Sequence, residues 1–269
     1  MPDGVASEVE MSGPPDRGRV RSFFDKFRRK PVSPPPPANP PQDRYSPEVG
    51  PRKTQILMDR LRSDESKLFE EPGGEAPYGM FEGRRIIGRD TPINGGVYLG
   101  SGAREAIVVD DKDSKLLNDA YRQVLVALQP AIANNTYKNI VLDTVFNKAR
   151  ELLPYNEYEA ERLAADHHGD RKIHIEMFLN IKAGVCRHQA LLAGYFLERL
   201  VKEDYIGGKV SVDRNFLPGR GGHAWVRYTN SLGEIYVIDP AQNYIGPLKN
   251  MGDDRISWFY ERREDKNIK

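Results

Sequence analysis

Apolar residues recur at helical spacing in two consecutive stretches of the middle of the chain. Leu117, Tyr121, Val124, Leu125 and Leu128 share one face of a helix that Ser114 can cap and that Pro130 brings towards a close. Ile140, Val141, Val145, Ala149 and Leu152 keep that period in a second helix from about Tyr137 to Leu153, which Pro154 stops. A polar helix near Glu157 to His168 comes next. The segment CRHQALLAGYFLERLVK, opened by Cys186, is apolar nearly all round, which predicts a buried central helix ended by Gly207-Gly208. Beyond it the pattern becomes alternating or β-branched over Val210 to Asp213, His223 to Thr229 and Glu234 to Ile238, predicting strands. Upstream, glycines and prolines between 78 and 110 punctuate Arg85-Ile86-Ile87, Val97-Tyr98-Leu99 and Ala106-Ile107-Val108-Val109, a modest β-rich lead-in. A thin stripe of Ile56, Leu57, Leu61 and Leu68 predicts a helix over about 52–69, closed by Pro72-Gly73-Gly74. Helices first and antiparallel strands after make an α+β order.

The first 51 residues break this patterning. Aliphatic residues are few, and the stretch from Pro31 to Pro51 holds nine prolines, too little apolar surface to offset its ordering entropy. The expectation is a disordered arm of polyproline II character. Within it, GRVRSFFDKFRRK sets six Arg/Lys against one Asp, with Phe23, Phe24 and Phe27 at helical spacing. Such a segment can dock reversibly on an anionic membrane or a partner groove, and the prolines can engage an SH3-like partner. Three parts follow: the arm over 1–51, a helix and β lead-in over 52–112, and a main domain over 113–269.

Charge and cysteine content narrow the chemistry. Forty basic and thirty-nine acidic residues in 269 leave no excess charge for coating nucleic acid. A single cysteine excludes an internal disulfide and any multi-thiolate zinc site, which favours a cytoplasmic setting. No signal peptide or run of about 18 apolar residues is visible, so the expectation is a soluble protein, peripheral to a membrane at most through its arm. His167, His168, His174, Cys186 and His188 do not match a recognised zinc pattern, and no cofactor is expected.

The lone cysteine stands where a nucleophile would. Cys186 follows Gly184-Val185 at a helix start, where unpaired N–H groups and the helix dipole favour a thiolate, and Arg187 and His188 are expected to add positive charge. Its own amide could hold an oxyanion. The break Asn230-Ser231-Leu232-Gly233 puts a hairpin turn near position 231 or 232, which sets His223 across from Asp239 or Pro240. Opposed residues of an antiparallel pair have Cβ atoms about 4.5–5.5 Å apart, so Asp239 could orient the His223 ring. The other ring nitrogen would then exchange a proton with Cys186. Pro218 to Gly222 is a glycine-rich rim leading into the His223 strand, and Trp225 shares the sheet face of His223, where it could wall the cleft or pack in the core.

At GVCRHQALLAGYF, GGHAWVRY and YVIDPAQNYIG the chain resembles the transglutaminase-like superfamily of cysteine enzymes, over roughly Ser114 to Tyr260. CRHQALL is also similar to the peptidase-like domains ahead of some plant kinases. The resemblance implies a papain/transglutaminase-like core, a nucleophile helix packed on an antiparallel sheet. It implies Cys186 as nucleophile, His223 as general base and acid, and Asp239 as the orienting acid. The implied reaction proceeds through an acyl-enzyme thioester on an amide bond of a peptide or protein, as a peptidase or amidohydrolase. A protein-glutamine transglutaminase or deamidase is the alternative, and a non-enzymatic scaffold using the Pro-rich arm a second. The side-chain oxyanion donor that many members supply from upstream has three candidates, Asn180, Tyr155 and Asn139.

Overall fold

The computed structural model describes residues 69–70, 73–74, 76–100, 105–112, 114–167, 172–217, 221–250 and 260–267. The N-terminal arm, the 52–69 helix up to Leu68, His168 and the rim residues 218–220 lie outside the described residues. All described residues fall in one of two compact units, Tyr45–Lys269.

Among the described residues five α-helices and ten strands make a mixed α+β fold. Three helices come early: α1 over Lys115–Ala133, α2 over Val141–Leu152 and α3 over Glu157–Asp166. The Ser114 side chain accepts from Leu117 N–H at 3.1 Å, as its capping position requires. Pro130 does not end α1, which runs one turn further; being close to the C-terminus, it denies a hydrogen bond only to Val126, whose side chain is exposed. The expected second helix is divided into a 3-10 turn over Tyr137–Asn139 and α2 proper. Helix α4, Ile175–Ile181, is too short for its periodicity to be read. Helix α5, Cys186–Lys202, is the buried central helix, with Leu191, Leu192, Tyr195, Phe196, Leu197 and Leu200 all at 0% exposure. Each such side chain contributes roughly 1.5–3 kcal/mol as an upper estimate. Helix α5 ends before the glycines expected to stop it. Asp204 adopts φ 59°, and Tyr205 N–H returns to the Leu200 carbonyl at 2.9 Å.

The main sheet is an antiparallel meander of β7 over Lys209–Leu217, β8 over Gly221–Thr229, β9 over Ile235–Asp239 and β10 over Tyr244–Pro247, in the order β10-β9-β8-β7. One face carries Val212, Ala224, Val226, Tyr228 and Ile238 into the core that α5 shares. Alternation sends His223, Trp225, Val237 and Asp239 to the other face, where Trp225 and Val237 meet Tyr260. Gly208, at φ +125° immediately before β7, lies so close to the end of β8 that a Cβ would be 2.2 Å from the Thr229 carbonyl oxygen. Gly208→Ala is therefore expected to lower stability by about 2 kcal/mol or more, read as a lower urea midpoint at unchanged slope.

The β-rich lead-in splits. Strands β1 over Phe69–Glu70, β2 over Met80–Phe81 and β3 over Arg84–Arg85 form a small antiparallel sheet. Strands β4 over Gly96–Leu99 and β5 over Ala106–Val109 make a buried hairpin, and β6 over Lys172–His174 joins β5 in parallel. That pairing carries one sheet across position 112, so the lead-in and the helical region share a core. Among the described residues no helix is long and apolar enough to cross a membrane.

Candidate active site

The Cys186 position is built by a tight approach. Gly184 bridges in parallel to Tyr155: its N–H bonds the Pro154 carbonyl at 3.1 Å, and its carbonyl accepts from Asn156 N–H at 2.9 Å. A Cβ on Gly184 would stand 2.9 Å from that of His188, so the site needs a residue without one. Val185 caps α5, and its N–H donates to His188 Nδ1 at 3.0 Å, the task a Glu or Gln performs in a capping box. His188 is fully buried, its ring 3.9 Å from that of Phe178. Burial first, and the charge of Arg187 second, hold its pKa well below the ordinary histidine value. It is therefore neutral, and the positive charge expected of His188 beside the thiol is not there.

Arg187 does carry charge, and that charge is matched. Its Nε donates to Glu105 Oε2 at 2.5 Å and its Nη2 to Oε1, a bidentate pair with a carboxylate at 0% exposure. Glu105 stands at the turn end of the β4–β5 hairpin, just before β5, and its carbonyl accepts from Gly100 N–H at 2.8 Å. On the opposite side, Arg214 of β7 donates to the Leu99 carbonyl at 2.9 Å and lies 5.4 Å from the Tyr98 ring centroid. The hairpin is thus tied to the start of α5 and to the main sheet at once.

Strand β8 supplies His223, 5% exposed, and β9 supplies Asp239, fully buried. They meet, but not as directly opposed residues. The β8–β9 ladder runs from Thr229↔Ile235 to Val226↔Ile238, a register that would put Asp239 across from Trp225. The cause is the turn that holds Gly233 at φ +82°, which is centred on Leu232; Gly233 N–H bonds the Asn230 carbonyl at 3.0 Å and Asn230 N–H the Glu234 carbonyl at 2.9 Å. The His223–Asp239 contact is the diagonal one on the same face, within reach of an imidazole. Nε2 of His223 lies 2.5 Å from Asp239 Oδ2, which leaves Nδ1 for Cys186.

Cys186, partly exposed, hydrogen-bonds His223 and also accepts from the Ala224 amide. That amide is free for sulfur because β9 ends at Asp239, before the position that would pair with Ala224. Burial raises the thiol pKa, but the hydrogen bond to His223, its charge, the charge of Arg187 and the Ala224 amide together bring it below the ordinary value. The imidazole moves the opposite way. Burial would lower it, yet the bonds to Asp239 and Cys186 push it up to about 9. These opposite shifts favour a thiolate–imidazolium pair.

The remaining residues singled out from the sequence divide. Trp225 is 1% exposed and stacks beneath His223 at 6.0 Å between ring centroids, so it supports the ring and does not wall a cleft. Gly222 is exposed in β8 opposite Phe216, a strand position and not part of a loose loop. Asn180 and Asn139 are exposed, whereas Tyr155, half exposed, lies near enough to Cys186 that the sulfur's charge acts on its hydroxyl. Burial first and that charge second push Tyr155 up to about 12, so it keeps its proton as a donor. His167 Nδ1 lies 2.8 Å from the Leu163 carbonyl and His174 Nε2 2.9 Å from that of Asp110, and no cluster able to hold a metal occurs among the described residues. Glu105 and Tyr260, the latter bonded to Asp239, carry no motif in the sequence. Comparison with protein-family models, with curated proteins and with solved structures found no match to this chain.

Proposed function

We propose that this protein is a cysteine-dependent enzyme acting on amide bonds through an acyl-enzyme thioester, on a papain/transglutaminase-like core, with hydrolysis as its reaction. The observation that carries the reading is the continuous hydrogen-bonded chain from Cys186 through His223 to Asp239, with the thiol pushed down and the imidazole up. The sequence resemblance to transglutaminase-like enzymes points to the same three residues.

In this mechanism the Cys186 thiolate attacks the amide carbon and forms the S–C bond, and the carbonyl oxygen takes the electron pair. The Cys186 amide, in the first turn of α5 where helical N–H groups lack intrahelical acceptors, and the Tyr155 hydroxyl are the donors proposed for that oxyanion. The His223 Nδ1 proton passes to the leaving nitrogen as the C–N bond breaks, which releases the amine and leaves the thioester. Water then attacks the thioester, His223 takes a proton from it, and collapse releases the carboxylic acid and restores the thiolate. Asp239 orients the ring and stabilises the imidazolium throughout.

The test is mass analysis of a glutamine-containing peptide pool incubated with the full chain, with and without a primary amine. Fragments are expected. A gain of about one dalton would instead mean deamidation, and an amine adduct cross-linking. Identical products from Cys186→Ala would sink the assignment.

A further inference from the structure

The carboxylate that holds His223 is shared with a residue far along the chain. Oδ2 of Asp239 accepts the Tyr260 hydroxyl at 2.6 Å as well as facing His223 Nε2, while Oδ1 accepts the Gln242 amide at 3.1 Å. Tyr260 is 2% exposed, its ring edge-on to Trp225 at 4.9 Å and stacked with Tyr244 at 6.1 Å. A phenylalanine would fill that space without a hydroxyl to desolvate. The hydroxyl is instead turned onto the acid of the triad.

The segment that delivers it is strongly held. Arg262, 6% exposed, donates to Asp213 through Nε at 2.7 Å and Nη2 at 2.6 Å, to Ser211 Oγ at 2.9 Å and to Asp90 at 2.7 Å. Asp265 accepts both terminal nitrogens of Arg227, and its Oδ2 accepts the Arg262 amide at 2.6 Å. Residues 260–265 thereby cover the face of the sheet opposite α5.

We infer that Tyr260 is a positioning residue of the triad: its hydroxyl fixes the orientation of the Asp239 carboxylate and limits how tightly that carboxylate holds the His223 proton. This rests on the thiolate–imidazolium reading proposed above. Two donors compete for one oxygen, so each draws less from it; without the tyrosine hydroxyl, Oδ2 binds the imidazolium alone and more strongly. Around His223 the groups that set its charge are Asp239 and Cys186 in direct contact, with Arg187 acting on the sulfur and the Asp213–Arg262 and Arg227–Asp265 pairs on the same sheet side. Arg262 is matched further by Asp90 and Glu264, so the Arg262 cluster carries an excess of carboxylates while Arg227–Asp265 is balanced.

The experiment follows iodoacetamide alkylation of Cys186 against pH, and the His223 ring by NMR of histidine-labelled full-length protein, in wild type, Tyr260→Phe and Asp265→Asn. Tyr260→Phe keeps the ring packing and should move the upper midpoint of the imidazolium, near pH 9 in wild type, upward by about half a unit or more. Asp265→Asn leaves the hydroxyl in place but loosens the segment's anchor, and a smaller shift of the same sign is expected. Should Tyr260→Phe lose its fold, Asp265→Asn decides alone. An ion pair in wild type with unchanged midpoints in the folded variants overturns the role of Tyr260. A wild-type thiol with one midpoint near 8.5 that ignores His223→Ala defeats the functional reading instead.

Discussion

Alanine at His223 is expected to raise the pH midpoint of Cys186 alkylation to 8.5 or above and to cut amide turnover by roughly 10²- to 10⁴-fold. In wild type the midpoint lies below that of a free thiol, since the hydrogen bond and charge of His223 are the largest influences opposing burial. Without the ring, Arg187 and the Ala224 amide remain, but burial then weighs more heavily. The pH profile is the readout to trust. A thiolate with a lowered pKa is also a weaker nucleophile, so the rate at one pH hides the shift. Wild type should show a second inflection as the imidazolium deprotonates near pH 9, absent from the variant. The sign follows for stability too. The folded pKa of His223 lies above its unfolded value of about 6.5, so its contribution is complete below pH 6.5 and is lost as pH rises through about 9. A variant with the wild-type alkylation profile would remove the thiolate–imidazolium pair from the mechanism.

Glu105→Ala should be the most damaging single change to stability, at about 3–5 kcal/mol. The carboxylate is completely enclosed, and its loss leaves the Arg187 guanidinium, 21% exposed, without its bidentate partner. It also removes the carboxylate beside His188 Nε2, which lies 3.6 Å from Glu105 Oε2 and has no hydrogen-bond partner among the described residues. The loss would be measured by urea unfolding. Glu105→Gln keeps the shape and one acceptor oxygen and should lose less. It also separates structure from chemistry, since it leaves the positive charge of Arg187 unbalanced next to sulfur. The Cys186 midpoint then falls, opposite in sign to the effect of His223→Ala. Equal urea midpoints for Glu105→Ala and wild type would mean that the hairpin does not clamp the start of α5.

The parts of this site that could be read from the sequence are those whose signal is local. Ser114 as a cap, the all-round apolar helix after Cys186 and the alternation around His223 are each set by neighbours within a turn or a strand, and each appears where its pattern puts it. Register was less legible. His223 and Asp239 do meet, but through a diagonal contact, because the turn that holds the left-handed Gly233 is centred on Leu232, which reflects His223 onto position 241 and Asp239 onto Trp225. Contacts over long separations left no trace: Arg187 finds Glu105 82 positions earlier, and Tyr260 finds Asp239 21 positions before it. His188 misled for a related reason. A histidine beside an arginine reads as added charge, but burial against Phe178 first, and the arginine's own charge second, make it neutral.

The tip of the β8–β9 hairpin is exposed, with Leu232 at 84%, and exposed turns ordinarily tolerate gain or loss of residues between related chains. This one is not free to do so. Removing a single residue from Asn230–Glu234 would slide β9 by one step and turn Asp239 to the face occupied by α5, away from His223. The length of a solvent-facing turn is therefore constrained by a proton-transfer geometry at the far end of its strands, and the tip can change its side chains while its residue count is held.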